Sequence, residues 1–539
     1  METRLTRQLP MDELDNRDDE SSATPPLRTD APTERAVPPS RRAFLGTLGA
    51  VAAGAVGATV IAPAEAEAQG RAPYGSLIDR LGQRAEWKDI DLRLLRRVTL
   101  GMTASDVTAV KALGFDRYLA EQLTPSSIDD TACDTRIATR YPQFAYSQAT
   151  LLAKESVFWN EVVAPVQRAI VERGAFSKRQ LQERMTEFWT DHFNIANSPP
   201  RLVDYRDVIR QHALGNFGDM VRASMRSPAM LIYLDQVWST KWGVNGNYAR
   251  ELMELHTVGW NGGYTQQDVH ELARVLTGWT IDGNRNFLYR ADYHDFGAKT
   301  VMGVDFPARP QAGGTAGMDE AMTFAEFLIN HPATARHIAT KLLRWFIRPD
   351  PTNTQINAVA AAYTATGGDI KAMLRVVLTR NNLANAPAKL KRPFHYYVSA
   401  LRTTGVTVDP WSDWNNWEGV SGSLWDLAHQ IFAWQTPDGY PDRAEYWAGL
   451  MVNRWNAMSS VVGNWGQVGQ YPRFSPTPFM QLPTTAGVVA EINRRMFGGE
   501  MTMSLSTELT RWVQVNPTSN SRVQQAVYYA ACSPDFQYY

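Results

Sequence analysis

His192, Glu251, His256 and His294 carry the side chains of this 539-residue chain best suited to acid–base or metal chemistry. Imidazole titrates near neutrality and is the commonest metal ligand, and a nearby carboxylate supplies the charge that holds an ion or accepts a proton. His192 falls at the centre of a helical face made by Leu181, Met185, Phe188, Trp189 and Phe193, so its ring points into apolar surroundings and must find a buried partner. That partner is either a backbone carbonyl or carboxylate in a structural role, or an ion or proton donor in a functional one. Asp191 beside it points away from the apolar face and reads as a surface charge. Glu251 and His256 lie on the helical stretch that opens at Asn247. At about 100° per residue, Tyr248, Leu252 and Leu255 form the buried stripe; Glu251 sits about 60° to one side and His256 about 80° to the other. The pair therefore flanks the core, and a five-residue spacing does not chelate an ion alone. Glu254 points further round, toward solvent. His294 opens the run His294-Asp295-Phe296-Gly297-Ala298-Lys299, which puts an imidazole, a carboxylate and an ammonium on a loop, where functional groups are often displayed and solvated ion pairs are also common. These four residues are the candidate catalytic set, and His192, Glu251 and His256 are the candidate ligands of a divalent metal.

Other chemistries are excluded. His270-Glu271 lacks the second histidine of HExxH, no GxSxG is present, and no glycine-rich phosphate loop carries its lysine, so there is no nucleotide motif. Cys133 and Cys532 stand alone, which rules out a CxxC redox site, a cysteine zinc cluster and attachment of haem c. One long-range disulfide and two separate thiols both remain open. Lys and Arg number 54 against 55 Asp and Glu, a balance that provides no field for nucleic acid. Trp411, Trp414, Trp417 and Trp425 offer stacking surfaces for a sugar, although tryptophan is more often simply core.

Positioning these groups falls to helices. Helical periodicity dominates from Asp91 onward, and alternating β-branched runs are scarce, which predicts a mainly α, large multi-helix body. Ser177 and Gln180 have the spacing of a capping box for the helix that carries His192, and Thr265 with Asp268 repeats the device. Pro332 suits the first turn of a helix whose buried stripe is Ile338, Leu342 and Trp345, and Gly367-Gly368-Asp369 ends one helix and caps the next. Residues 282–317 are rich in Gly and Pro and read as an irregular or short β excursion. A second irregular stretch, Thr403 to Gly422, holds three of the tryptophans.

The amino-terminal part reads as an address. Residues 1–39 are too poor in aromatic and β-branched side chains to order themselves. Residues 40–68 combine the Arg41-Arg42 pair, an apolar stretch built mainly from Ala, Gly and Val, and small-residue sites at Ala64 to Ala68, the pattern of a twin-arginine signal. A retained anchor is the competing reading, disfavoured because Ala and Gly insert weakly. Export through the twin-arginine translocase to the periplasm or beyond leaves residues 69–539 as a single helical domain, with room for two subdomains. Changing both Arg41 and Arg42 to Lys is expected to hold the precursor in the cytoplasm, because recognition rests on the guanidinium pair; normal accumulation outside the inner membrane, followed by cell fractionation, would overturn the export reading.

A resemblance spans nearly all of this domain. The phrases LLRRVTLGMTASDV from Leu94, LQERMTEFWTDHF from Leu181, YRDVIRQHALGNF from Tyr205, SPAMLIYLD from Ser227 and NYARELMELHT from Asn247 occur in order with YTQQDVHELARVLTGW from Tyr264, HDFGAKTVMG from His294, HPATARHIATKLL from His331, KLKRPF from Lys389 and SPDFQ from Ser533. Together they resemble the bacterial family called domain of unknown function 1800. Where that family usually reads Asn-Glu-Asn-Tyr-Ala-Arg-Glu, this chain has Gly246 in place of the first Glu, and His270 stands at a usually apolar or acidic position. The resemblance implies helical exported proteins, often encoded beside a companion of the alkaline-phosphatase-like family called domain of unknown function 1501, and implies no particular reaction. Its polar positions here are His192, Arg206, Asp235, Asn247, Glu251, Glu254, His256, Arg274, His294, His331, Arg336 and Lys341. Two functions follow as expectations: a metal-assisted periplasmic enzyme, of hydrolase type, or a non-catalytic periplasmic scaffold that binds the companion.

Overall fold

The computed structural model describes residues 87–154, 159–196, 201–309, 313–406, 422–463 and 473–539, all within the unit Ala72–Tyr539. Residues 1–39, expected to be a leader, residues 40–68, expected to be an export signal, and Trp411, Trp414 and Trp417 lie outside the described residues. In chain order the elements used below are α1 Ile90–Val98, α2 Ala164–Phe176, α3 Gln180–His192, α4 Phe217–Met225, α5 Asn247–Glu251 and α6 Gln266–Val275. Four short strands follow, β1 Trp279–Ile281, β2 Phe287–Tyr289, β3 Lys299–Val301 and β4 Val304–Phe306. Then come α7 Ala316–Asn330, α8 Pro332–Phe346, α9 Asn353–Thr366, α10 Ile370–Val377, α11 Pro393–Thr404, α12 Met451–Val462, α13 Thr485–Phe497 and α14 Asn520–Cys532. The body is mainly α, as the periodicity predicts.

Capping chemistry explains most of the boundaries. The Asp89 carboxylate accepts from the amides of Asp91 and Leu92 to start α1, and Thr265 and Asp268 form the expected reciprocal box at α6. Pro332 occupies the first turn of α8, where His331 Nδ1 accepts from the Ala333 amide. Gly367, in the left-handed region, closes α9, and Asp369 caps α10. The box expected at α3 does not form. Ser177 closes α2 instead, its hydroxyl donating to Asp130 and accepting from the Arg179 amide, while the Gln180 amide group bonds the carbonyls of Gly174 and Ser177. With its hydroxyl held by Asp130 and the Arg179 amide, Ser177 does not cap α3.

The excursion resolves into two antiparallel hairpins. β1 pairs with β2 through Trp279 opposite Tyr289, and β3 with β4 through Lys299 opposite Phe306. Two large apolar cores flank α3. The first gathers its inward face with α4, α8 and α9, including Trp189, Phe217, Leu342 and Val359. The second is built on α11, α12, α13 and α14 around Tyr396, Met458, Ile492 and Val527. Cys133 and Cys532 are not joined to each other. Trp425 stands exposed.

Candidate functional site

Helix α5 does not continue as an ordinary helix. From Leu252 to His256 it widens into a π-helical turn, in which hydrogen bonds skip one residue further and some carbonyls lose their usual partners. The Thr257 hydroxyl takes the Leu252 carbonyl at 2.6 Å and the Gly259 amide takes Met253 at 3.0 Å. The extra residue in the turn rotates His256 off the flank assigned by regular helical spacing and into the core, where it is fully buried. Glu251, just before the widening, is buried too.

The rotation turns the His256 carbonyl toward α3. His192 Nε2 meets that oxygen at 3.1 Å, and because a carbonyl only accepts, the proton of the neutral ring is placed on Nε2. Nδ1 is left as a lone pair, and Lys341 Nζ lies 2.8 Å from it. His337, one turn before Lys341 on α8, aligns its Nε2 with the Leu255 carbonyl at 3.2 Å, so the π turn anchors two imidazoles. The turn fits over His337 because Gly259 has a positive φ of 82° and no side chain; a Cβ there would lie 2.6 Å from His337 Nδ1. The His192 ring centroid is 6.2 Å from both the His256 and the His337 centroids.

This environment disfavours charge. Burial, then the Lys341 ammonium, hold His192 well below its ordinary value, and the same two causes bring His256 to about 3 and His337 to about 4. Lys341 itself is lowered to about 8 by burial, against the opposing pull of Asp191 and Asp438. One neutral imidazole thus meets the amine directly, and two more feel its charge.

The other side of α3 carries a second constellation. Glu183, Thr186, Glu187, Thr190 and Asp191 recur at helical spacing and line a narrow cavity of about 50 Å³ together with Arg392, His429 and Tyr440. Arg392 bonds Glu187 at 2.6 Å and Asp191 at 2.7 Å and lies over the Trp345 ring at 4.5 Å. Asp191 is therefore an inward carboxylate, not the surface charge its helical angle suggests, because α11 and the segment 429–440 cover that face of α3. Burial pushes it up to about 6, with Arg392 pulling down and Glu187 adding to the rise. Just past α3, Asn194 donates to the carbonyls of Trp434 at 3.0 Å and Thr436 at 2.7 Å, tying that segment to the helix end.

His294 belongs to a separate group. Its Nδ1 is 2.8 Å from the Thr277 carbonyl and its Nε2 faces Glu320 at 3.5 Å. Lys299 reaches the same carboxylate at 2.9 Å. Burial pushes Glu320 up, but the bonds from His294 and Lys299 outweigh it and hold the carboxyl below its ordinary value. The loop is thus neither solvated nor open; it is a dry ion cluster that pins the hairpins to α7. Asp295 meanwhile pairs with Arg274 at 2.8 Å. Of the remaining resemblance positions, Arg206 ties down the Phe144 and Tyr146 carbonyls, Asp235 accepts from Asn247, Tyr264 donates to Glu254, and Arg336 reaches Asn353 and Asn357.

The residues expected to hold a divalent metal do not fit one in this arrangement. His192 has both nitrogens engaged, one by a carbonyl and one by an amine. Among the described residues no three His, Cys, Asp or Glu side chains are grouped as a metal ion requires. Neither His256 ring nitrogen has a hydrogen-bond partner among the described residues. His337 was missed in the sequence and Lys341 entered only through the resemblance; their i, i+4 spacing beside the Ile338 and Leu342 stripe was the available signal. His192→Ala is expected to cost about 1 to 3 kcal/mol, since it strands the His256 carbonyl and the Lys341 amine together. A thermal melt checks this, and an unchanged melting temperature would contradict the pairing.

A family model described as protein of unknown function (DUF1800) matches residues 93–538. No curated protein and no protein of solved structure matches the chain.

Proposed function

Because the chain belongs to the DUF1800 family, whose description carries no reaction, we propose from the site's geometry that it is an exported enzyme using the Lys341–His192 pair as its acid–base centre. The observation that carries this reading is the 2.8 Å contact between Lys341 Nζ and His192 Nδ1, with the far side of the ring fixed by the His256 carbonyl. A reactive group, a base within hydrogen-bond reach and a third group that orients the base are the parts of an activated nucleophile or proton relay. Export to the periplasm rests on the Arg41-Arg42 pair and the small-residue sites behind it. Among the described residues no helix is long and apolar enough to cross a membrane.

The scaffold reading is favoured by a different observation. The cavity across α3 from the pair is only about 50 Å³ and is lined by neither His192 nor Lys341; it is well under the roughly 300 Å³ at which small-molecule pockets begin, and its charged groups pair with one another. On that reading the body serves as a binding partner of the alkaline-phosphatase-like companion.

Lys341→Arg separates these. Arginine keeps the positive charge but is never a neutral amine at physiological pH. Purified mature protein assayed on a panel of esters, amides and carbonyl compounds is expected to lose about 100-fold or more in turnover with the variant, at nearly unchanged melting temperature. No turnover by either protein across the panel favours the scaffold. Stoichiometric metal in the parent, lost in His192→Ala, would replace the amine–imidazole centre with a metal-assisted hydrolase.

A further inference from the structure

The geometry points to Lys341 as a covalent amine that forms an imine with a neutral aldehyde or ketone, an inference that rests on the acid–base reading above. The first support is how this chain treats its other buried lysines. Lys299 is neutralised by Glu320 at 2.9 Å and Lys389 by Asp442 at 2.9 Å, the ordinary arrangement for a buried ammonium, while Lys391, which also has no ion pair among the described residues, rests its ammonium over the Phe536 ring at 3.9 Å. Lys341 has no such ion pair among the described residues; its close polar neighbour is the lone pair of a neutral imidazole. A lone-pair acceptor stabilises an amine N–H without demanding a permanent positive charge, which suits a nitrogen that must donate its own lone pair.

The second support is orientation. The His256 carbonyl locks the His192 tautomer so that only Nδ1 can take a proton, and Nδ1 faces Lys341. Lys341 is partly exposed, as is its neighbour His337, while His192 and His256 behind it are buried. Of the hydrogen-bonded pair, Lys341 is therefore the residue that keeps some surface open.

The substrate class follows from chemistry and charge. An acyl group taken by an amine would remain as an amide, whereas an imine hydrolyses, so a carbonyl compound is the partner that lets the lysine turn over. Arg392, on the other side of α3, is occupied by Glu187 and Asp191. Asp191 and Asp438 act on the amine more strongly than the opposing cation Arg344, so the balance of charge favours a neutral carbonyl over a carboxylate-bearing one. In the step itself the Lys341 nitrogen bonds the carbonyl carbon, and the carbon–oxygen π pair moves to oxygen. His192 Nδ1 takes a proton from nitrogen and returns it to that oxygen, giving the carbinolamine. Loss of the hydroxyl with the second nitrogen proton releases water and leaves the neutral imine, so neither oxidant nor reductant is required.

Reductive trapping tests this. The full mature protein is incubated at pH 7 with propanal and cyanoborohydride, and propylated lysines are mapped by peptide mass spectrometry. Lys341 is expected to label about tenfold or more faster than the exposed Lys178 and Lys241, because a larger share of it is unprotonated at that pH. Labelling of Lys341 at or below the rate of those two would overturn the inference, and this comparison needs no variant. In a folded His192→Ala protein the advantage should vanish; an unchanged rate would equally overturn it. Absence of labelling combined with loss of panel activity in Lys341→Arg retains the acid–base reading and rejects the covalent one. Fast labelling with no activity loss in that variant keeps the amine chemistry and rejects the enzyme reading.

Discussion

Replacing Arg392 with alanine is expected to lower stability by about 3 to 5 kcal/mol above neutral pH, because it strips Asp191 of its ion partner among the described residues and leaves Glu187 only Arg184, at 3.0 Å. Arg392 is buried, and the Glu187 and Asp191 side chains keep only 11% and 16% exposure beside it. The pH dependence is part of the prediction. Asp191 already sits at about 6 in the folded protein, above the roughly 3.9 of an unfolded chain, so the native state holds its proton more tightly. Its contribution therefore favours folding below about pH 4 and is lost as pH rises through about 6. Without Arg392 the carboxyl loses the charge that pulls it down, and the window of lost stability moves upward. Urea melts at pH 5 and pH 8 read this directly: the deficit should shrink at the lower pH, where Asp191 holds its proton. An equal deficit at both would show that the arginine acts through its packing on Trp345 instead.

Gly439→Val should be nearly as damaging, and for a backbone reason. Gly439 has a positive φ of 74°, and a Cβ built on it would stand 2.2 Å from the Asp191 carbonyl oxygen. A β-branched residue in that region costs on the order of 1 to 3 kcal/mol, and the overlap with a fixed backbone oxygen adds a similar amount. Relief requires the segment 429–440 to lift from the end of α3, which breaks the Asn194 bonds to Trp434 and Thr436. The expected result is a loss of about 3 kcal/mol in a thermal or urea melt, with faster amide exchange confined to that segment. Gly449→Ala is the control, since no atom lies within 4 Å of its Cβ position. Equal behaviour of the two variants would contradict the close approach.

Periodicity and capping residues specified the elements. The face of Leu181, Met185, Phe188 and Trp189, the box at Thr265 and Asp268, Pro332 at its helix start and the Gly367 to Asp369 boundary are all local: each depends on residues within a few positions, and each appears in the structure. His192 could be placed inward on the same ground. Its partners could not, because they arrive from α8 and from a π turn. Regular helical spacing fails beyond Glu251, and nothing in the residue types of Leu252 to His256 announces the extra residue in the turn.

Tertiary packing also reversed local expectations. Asp191 points away from its own helix's apolar face, yet α11 and the 429–440 segment enclose it. Ser177 has capping spacing, yet Asp130 claims its hydroxyl. His294 lies in a glycine-bearing loop, yet Glu320 and Lys299 bury it. By itself the sequence determined a mainly helical body, its family and the inward direction of His192, because those depend on short-range spacing and on the order of phrases along the chain. Only the tertiary structure decided that His192 meets Lys341 and not Glu251 or His294, because hydrogen-bond partners of buried groups are chosen by which backbone and side-chain atoms the packed helices bring within 3 Å.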